Sequence, residues 1–142
     1  MKRFAFAILF LCMAATQVRA AEFAVFDVFV DSGAEHLAAY QLKISDEKAA
    51  VKILSVEGGE QASFAQPPKF DGKAIQRDVI KIAAFSLDAR ENLPSGRVRV
   101  ASLHVEIGPG MTPEWKAVVE AAGGPGGRKI SVKVSISKRE NQ

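Results

Sequence analysis

Residues 112–136 read TPEWKAVVEAAGGPGGRKISVKVSI, and whether their first half is helix or strand decides between a mixed and an all-β fold. Thr112 and Pro113 make a helix start, with Thr as N-cap and Pro in the first turn. Trp115, Val118, Val119 and Ala122 then share one helical face before Gly123. The second half points the other way. Ile130, Val132, Val134 and Ile136 alternate with Ser and Lys, the pattern of a half-buried strand, and such a strand needs a partner. Across the Gly123–Gly127 turn, residues 115–122 are its nearest candidate for a hairpin. Local signals alone favour helix over 115–122.

The rest of the chain is strand after strand. Residues 23–31 (FAVFDVFVD) are rich in β-branched and aromatic side chains, with Ala24, Phe26, Val28 and Val30 on one face. After the Asp31-Ser32-Gly33 turn, residues 37–45 set Tyr40, Leu42 and Ile44 against Gln41, Lys43 and Ser45. Residues 51–56 form a third strand, which stops at Gly58-Gly59. Residues 79–86 (VIKIAAFS) are apolar on both faces, as expected of a strand in the middle of a packed sheet. Residues 97–107 make a long strand in which Val98 and Val100 have one parity and Leu103, Val105 and Ile107 the other. A β-bulge near Ala101-Ser102 reconciles them. Between the third and fourth strands, residues 60–78 have no sustained period and contain Pro67-Pro68 and Asp71-Gly72, so they read as a long loop with one helical turn near residues 73–77. About seven short strands with regular turn signals predict an antiparallel β-sandwich. Its expected core includes Ala24, Phe26, Val28, Tyr40, Leu42, Ile82, Phe85, Leu103, Val105, Val132 and Val134.

The N-terminus predicts export. Lys2 and Arg3 precede an uncharged, mostly apolar run from Phe4 to Ala15, and Val18-Arg19-Ala20 places small residues where a signal peptidase reads them. The apolar run is shorter than the roughly 20 residues a membrane-spanning helix needs. Residues 1–20 are therefore read as a cleaved signal peptide and residues 21–142 as one secreted or periplasmic domain. Cys12 follows Leu11 rather than a small residue, which argues against lipidation. The C-terminal SKRENQ carries no anchoring helix, so no stable membrane anchor is expected in the mature form.

Loss of Lys2, Arg3 and Arg19 with the leader leaves 16 basic residues against 16 acidic ones. A domain without basic excess lacks the main force that holds nucleic acid. The mature part also has no cysteine, which removes thiol chemistry and leaves its core as the sole source of stability.

No serine sits in a G-x-S-x-G elbow, and the glycines at 123–127 are followed by no Gly-Lys-Ser/Thr. His36 lies beside a turn and His104 on the outward parity of a strand, so both read as surface histidines. Metal ligands are too sparse for zinc, and Asp27 and Asp31 alone do not make a calcium loop. No cofactor is expected. Glu57 and Glu60 flank Gly58-Gly59 but read as solvated acids rather than a glycosidase pair. The strongest binding candidates are Phe64, Pro67, Pro68 and Phe70, gathered in the long loop. The rings there either face a partner or plug the end of the sandwich.

Strand order and local signatures carry a resemblance. FDVFVDSG (26–33), LAAYQLKIS (37–45), VKILSVEGGE (51–60), FAQPPKFDGKAI (64–75), IKIAAFS (80–86) and GRVRVASLHVEI (96–107) together resemble the cohesin-like domains of secreted bacterial proteins. These are jelly-roll-type sandwiches related in fold to a group of cellulose-binding modules. Where such domains carry a tyrosine-aspartate-proline-like turn, this chain has Ser45-Asp46-Glu47. The resemblance implies two closing strands, which favours strand over helix at 115–122. It also implies a non-catalytic binding module, with a protein partner first and extracellular polysaccharide second. A hydrolase is the reading least supported, because no catalytic constellation appears.

Overall fold

A computed structural model describes residues 17–141; the leader features from Lys2 to Ala15, including Cys12, lie outside them. Residues 17–21 are exposed and irregular, so the expected cleavage point after Ala20 falls just before the first strand. Seven strands follow: β1 (Glu22–Asp31), β2 (Ala39–Asp46), β3 (Val51–Gly58), β4 (Val79–Phe85), β5 (Arg97–Ile107), β6 (Trp115–Gly123) and β7 (Lys133–Lys138). They form two antiparallel sheets, ordered β3-β5-β1-β7 and β4-β2-β6. One core lies between them. Consecutive strands belong to different sheets throughout, so every connection crosses from one layer to the other.

The period-2 patterns decide which side of each strand is buried. Phe26, Val28 and Val30 of β1 meet Tyr40, Leu42 and Ile44 of β2 across the core, with Ile80 and Ile82 from β4 and Leu103 and Val105 from β5. The bulge in β5 is real. Val28 pairs with Ala101 and Phe29 with Arg99, so Val100 is the extra residue, and it lets Val98 and Leu103 both face inward.

Residues 115–122 are strand, as the resemblance favoured, and the helix that their local signals favoured does not form. β6 pairs with β2 along its whole length, from Asp46↔Trp115 to Ala39↔Gly123, because β2 is buried on one face and needs a partner on each edge. Trp115 and Ala117 pack against the core, while Val118, which a helix would have turned toward it, is 44% exposed. The expected hairpin is also overturned. β7 pairs with β1 in the other sheet, and the two sides of the glycine-rich turn are linked close to the turn, through the Gly123↔Lys129 bridge and the bonds from Gly124 N to Arg128 O and from Ile130 N to Ala122 O.

β4 is likewise corrected from a central strand to an edge strand. Ile80 and Ile82 are buried, but Val79, Lys81 and Phe85 are exposed, and Phe85 leaves the expected core altogether.

Asp46, at the end of β2, is the main polar group inside this frame. Its carboxylate accepts from the backbone N–H groups of Lys48, Ala50, Val51 and Glu114, tying the β2–β3 turn to the approach to β6. Hydrogen bonds to a buried carboxylate of this kind satisfy donors that would otherwise be stranded.

Candidate functional site

The chain from Gly58 to Asp78 is stitched to both sheets. Gly58 and Gly59 are required where it leaves β3, since a Cβ on Gly58 would sit 2.0 Å from Ala65 O and one on Gly59 2.3 Å from Arg99 O. Gly59 N then bonds Phe64 O at 2.7 Å around the one-turn 3₁₀ helix Ala62–Phe64. Further on, Lys69 exchanges two backbone bonds with Ala83, at 2.8 and 3.0 Å, on the outer edge of β4. A second 3₁₀ turn, Gly72–Ala74, is capped by the Asp71 side chain on Lys73 N. Gln76 and Arg77 finally bond both backbone groups of Ile53 on β3. The expected helical turn thus exists, over Gly72–Ala74.

An open groove of about 460 Å³ lies between this loop and one end of the three-stranded sheet. Leu42 and Ile82 pair and point into the core, so the neighbouring pairs Gln41↔Ala83 and Ala39↔Phe85 turn outward by the alternation of strands. Ala39, Ala83, Ala121 and Gly123 give the groove a low floor, with Pro67 and Phe85 at its sides. Phe85 is 73% exposed, and Leu87, just beyond the strand, is 91% exposed. The adjoining surface is polar: Gln41 Nε2 donates to Glu120 at 2.6 Å, and Lys81 Nζ lies 2.9 Å from the same carboxylate. The Lys81 and Gln41 hydrogen bonds hold the Glu120 carboxyl below its usual range.

Of the four residues singled out in the loop, Phe64, Pro67 and Pro68 line the groove and Phe70 does not. Phe64 is 3% exposed, packed against Tyr40 with ring centroids 5.5 Å apart, so its ring plugs the sandwich rather than facing a partner. Pro68 is buried, Pro67 is exposed, and Phe70 is half-buried against the core. Tyr40 donates to Val100 O at 3.3 Å, and burial raises its hydroxyl pKa well above the usual phenol value. That hydroxyl is a fixed structural donor.

The outer face of the four-stranded sheet carries the other polar cluster. Ser102 Oγ donates to Asp27 at 2.7 Å and accepts from Arg99 and Arg139, each at 2.9 Å. Arg139 also grips Asp27 through Nε and Nη2, and Arg99 reaches Gly58 O. Burial alone would raise the Asp27 pKa, but the hydrogen bonds from Arg139 and Ser102 outweigh it and the carboxyl titrates below its ordinary value.

Nearby, His104 Nε2 lies 3.0 Å from Glu57, while Glu60 accepts from Arg99 N at 2.9 Å. His36 Nδ1 donates to Leu93 O. The hydroxyl of Ser102 is thus committed on every side, and Glu57 and Glu60 are each engaged with a different group. Among the described residues, no group of three or more His, Cys, Asp or Glu is placed to hold a metal ion.

The chain matches no family model, no curated protein and no solved structure. Sequence reasoning located the loop but missed Phe85 and the small-residue floor. The signal for Phe85 was present, because it shares its parity with Lys81 and not with Ile80 and Ile82.

Proposed function

We propose that the protein is an exported, non-catalytic binding module of the cohesin-like type, and that the groove beside Phe85 receives a segment of a protein partner. The observation that carries this reading is the Phe85 ring, 73% exposed at the side of an apolar groove floored by small residues. Burying such a ring under a partner is worth about 2 kcal/mol, the scale of an interface anchor. The low floor accommodates side chains from an extended segment, and the polar surface around Glu120, Lys81 and Gln41 supplies a rim.

A polysaccharide platform is less well supported. Phe23 and Phe85 are the large exposed aromatics among the described residues, and they belong to different sheets, so they do not form one stacking surface. Catalysis lacks support because the polar cluster at Ser102 has each of its groups already paired. Among the described residues no helix is long and apolar enough to cross a membrane.

The test is a pull-down from the secreted proteome of the source cell, run beside insoluble cellulose and chitin. The wild-type protein should capture a protein that the Phe85→Ser variant fails to capture. Retention on either polysaccharide, undiminished by Phe85→Ser, would overturn the assignment.

A further inference from the structure

The two sheets have four edges, and they are not treated alike. The edge of β3 is covered at Ile53 by Gln76 and Arg77, and that of β4 at Ala83 by Lys69. β7 presents Lys133, Ser135, Ser137 and Lys138, a solvated and charged edge of the kind that discourages pairing. β6 is different. Its free side is bonded only at the far end, where Ile130 N donates to Ala122 O and Gly123 bridges Lys129. From Trp115 to Ala121 no backbone bond other than those to β2 is made among the described residues, and Val118 and Val119 are 44% and 38% exposed there.

The sequence of this edge is self-complementary. An antiparallel pairing centred on Val118 sets Val118 against its own counterpart, Ala117 against Val119, and Lys116 against Glu120. The ion pair then occurs twice by symmetry and no like charges meet, with Lys116 exchanging its exposed pair with Glu47 and Glu120 adding a partner to Lys81 and Gln41. Moving the centre to Ala117 or Val119 loses both ion pairs. Lys116, Val118 and Glu120 share the outward parity, so the opposed charges lie on the same face of the extended sheet.

From this charge complementarity we propose that β6 docks on β6 of a second copy of this chain, joining two three-stranded sheets into one six-stranded antiparallel sheet. A register shift beside Gln41 leaves Glu120 as the extra residue of β6, and the Ile130 bond caps the strand beyond it. These features limit the ladder to residues 115–121 and keep the association weak. Because the contact uses the same patch on both partners, it closes at two and cannot grow into a fibre.

Sedimentation equilibrium on protein expressed from the full chain, in the form in which it accumulates, tests this. The mass should rise with concentration to that of a dimer and no further. Val118→Glu, which faces two carboxylates across the axis at an exposed position, should leave a monomer with an unchanged far-UV circular dichroism spectrum. Lys116→Glu alone should weaken the dimer about tenfold or more, and adding Glu120→Lys should restore it. Phe85→Ser, at the groove, should not change the mass, which separates this interface from the proposed binding site. A wild-type protein that is monomeric at every concentration overturns the proposal. So does a dimer indifferent to Val118→Glu or Lys116→Glu, or growth beyond two. If Val118→Glu does not fold, the charge-reversal pair decides by itself.

Discussion

Replacing Phe26 with Ala removes a ring buried in the core and tilted against Trp115 at a centroid separation of 5.2 Å. The loss should cost ~3 to 5 kcal/mol, read as a lowered urea midpoint. The same change at Phe85 should move stability by no more than about 0.5 kcal/mol, since that ring lies mostly in solvent. Equal losses at the two positions would mean that β4 is placed on the wrong face. Asp27 supplies a test of a different kind. Its folded pKa is depressed, so the stability it contributes is fully present above the ordinary aspartate value of 3.8 and is lost as pH falls through the lower folded value. Denaturation midpoints measured across the acid range should therefore show a shallower acid limb for Asp27→Asn than for wild type. An identical acid limb would remove the ion pair with Arg139 from the account of stability.

At the scale of elements, the loop after β3 depends on a close approach that only glycine permits. Gly58→Ala would drive a Cβ into the Ala65 carbonyl, so the loop must leave its seat on β3 and β4. Limited proteolysis should then cut within residues 60–78, where the wild-type loop is protected by its bonds to Ala83 and Ile53. An unchanged digestion pattern would show that the backbone accommodates the methyl group. Strands with clean alternation, β1 and β2, were legible in the sequence down to their buried faces. β6 was not, because Thr112-Pro113 is a valid helix start and the decision lay with β2, some seventy residues earlier. β4 was read as central because Ala83, Ala84 and Phe85 extend its apolar run, although Lys81 already marked the outward parity. The candidate site was half visible for the same reason. A loop rich in Pro and Phe can be seen in one stretch, whereas a floor made by Ala39, Ala83 and Ala121 exists only after three distant strands pair.

For the molecule as a whole, the two-layer all-β architecture followed from the number and spacing of strands, while their order did not. Turn signals show where a strand ends but not which layer the chain enters next, and here the layer changes at every connection. That alternation governs how the protein comes into being. β1 lies between β5 and β7, so this strand, made before the other six, has its earliest mate in Arg97–Ile107 and its other in Lys133–Lys138. Until Arg97–Ile107 has emerged, β1 has no mate in the four-stranded sheet and β3 has none either, and no hairpin of consecutive strands is available as a local seed. The nascent chain is thus kept loose by its own topology and finishes folding only once nearly all of it has been made.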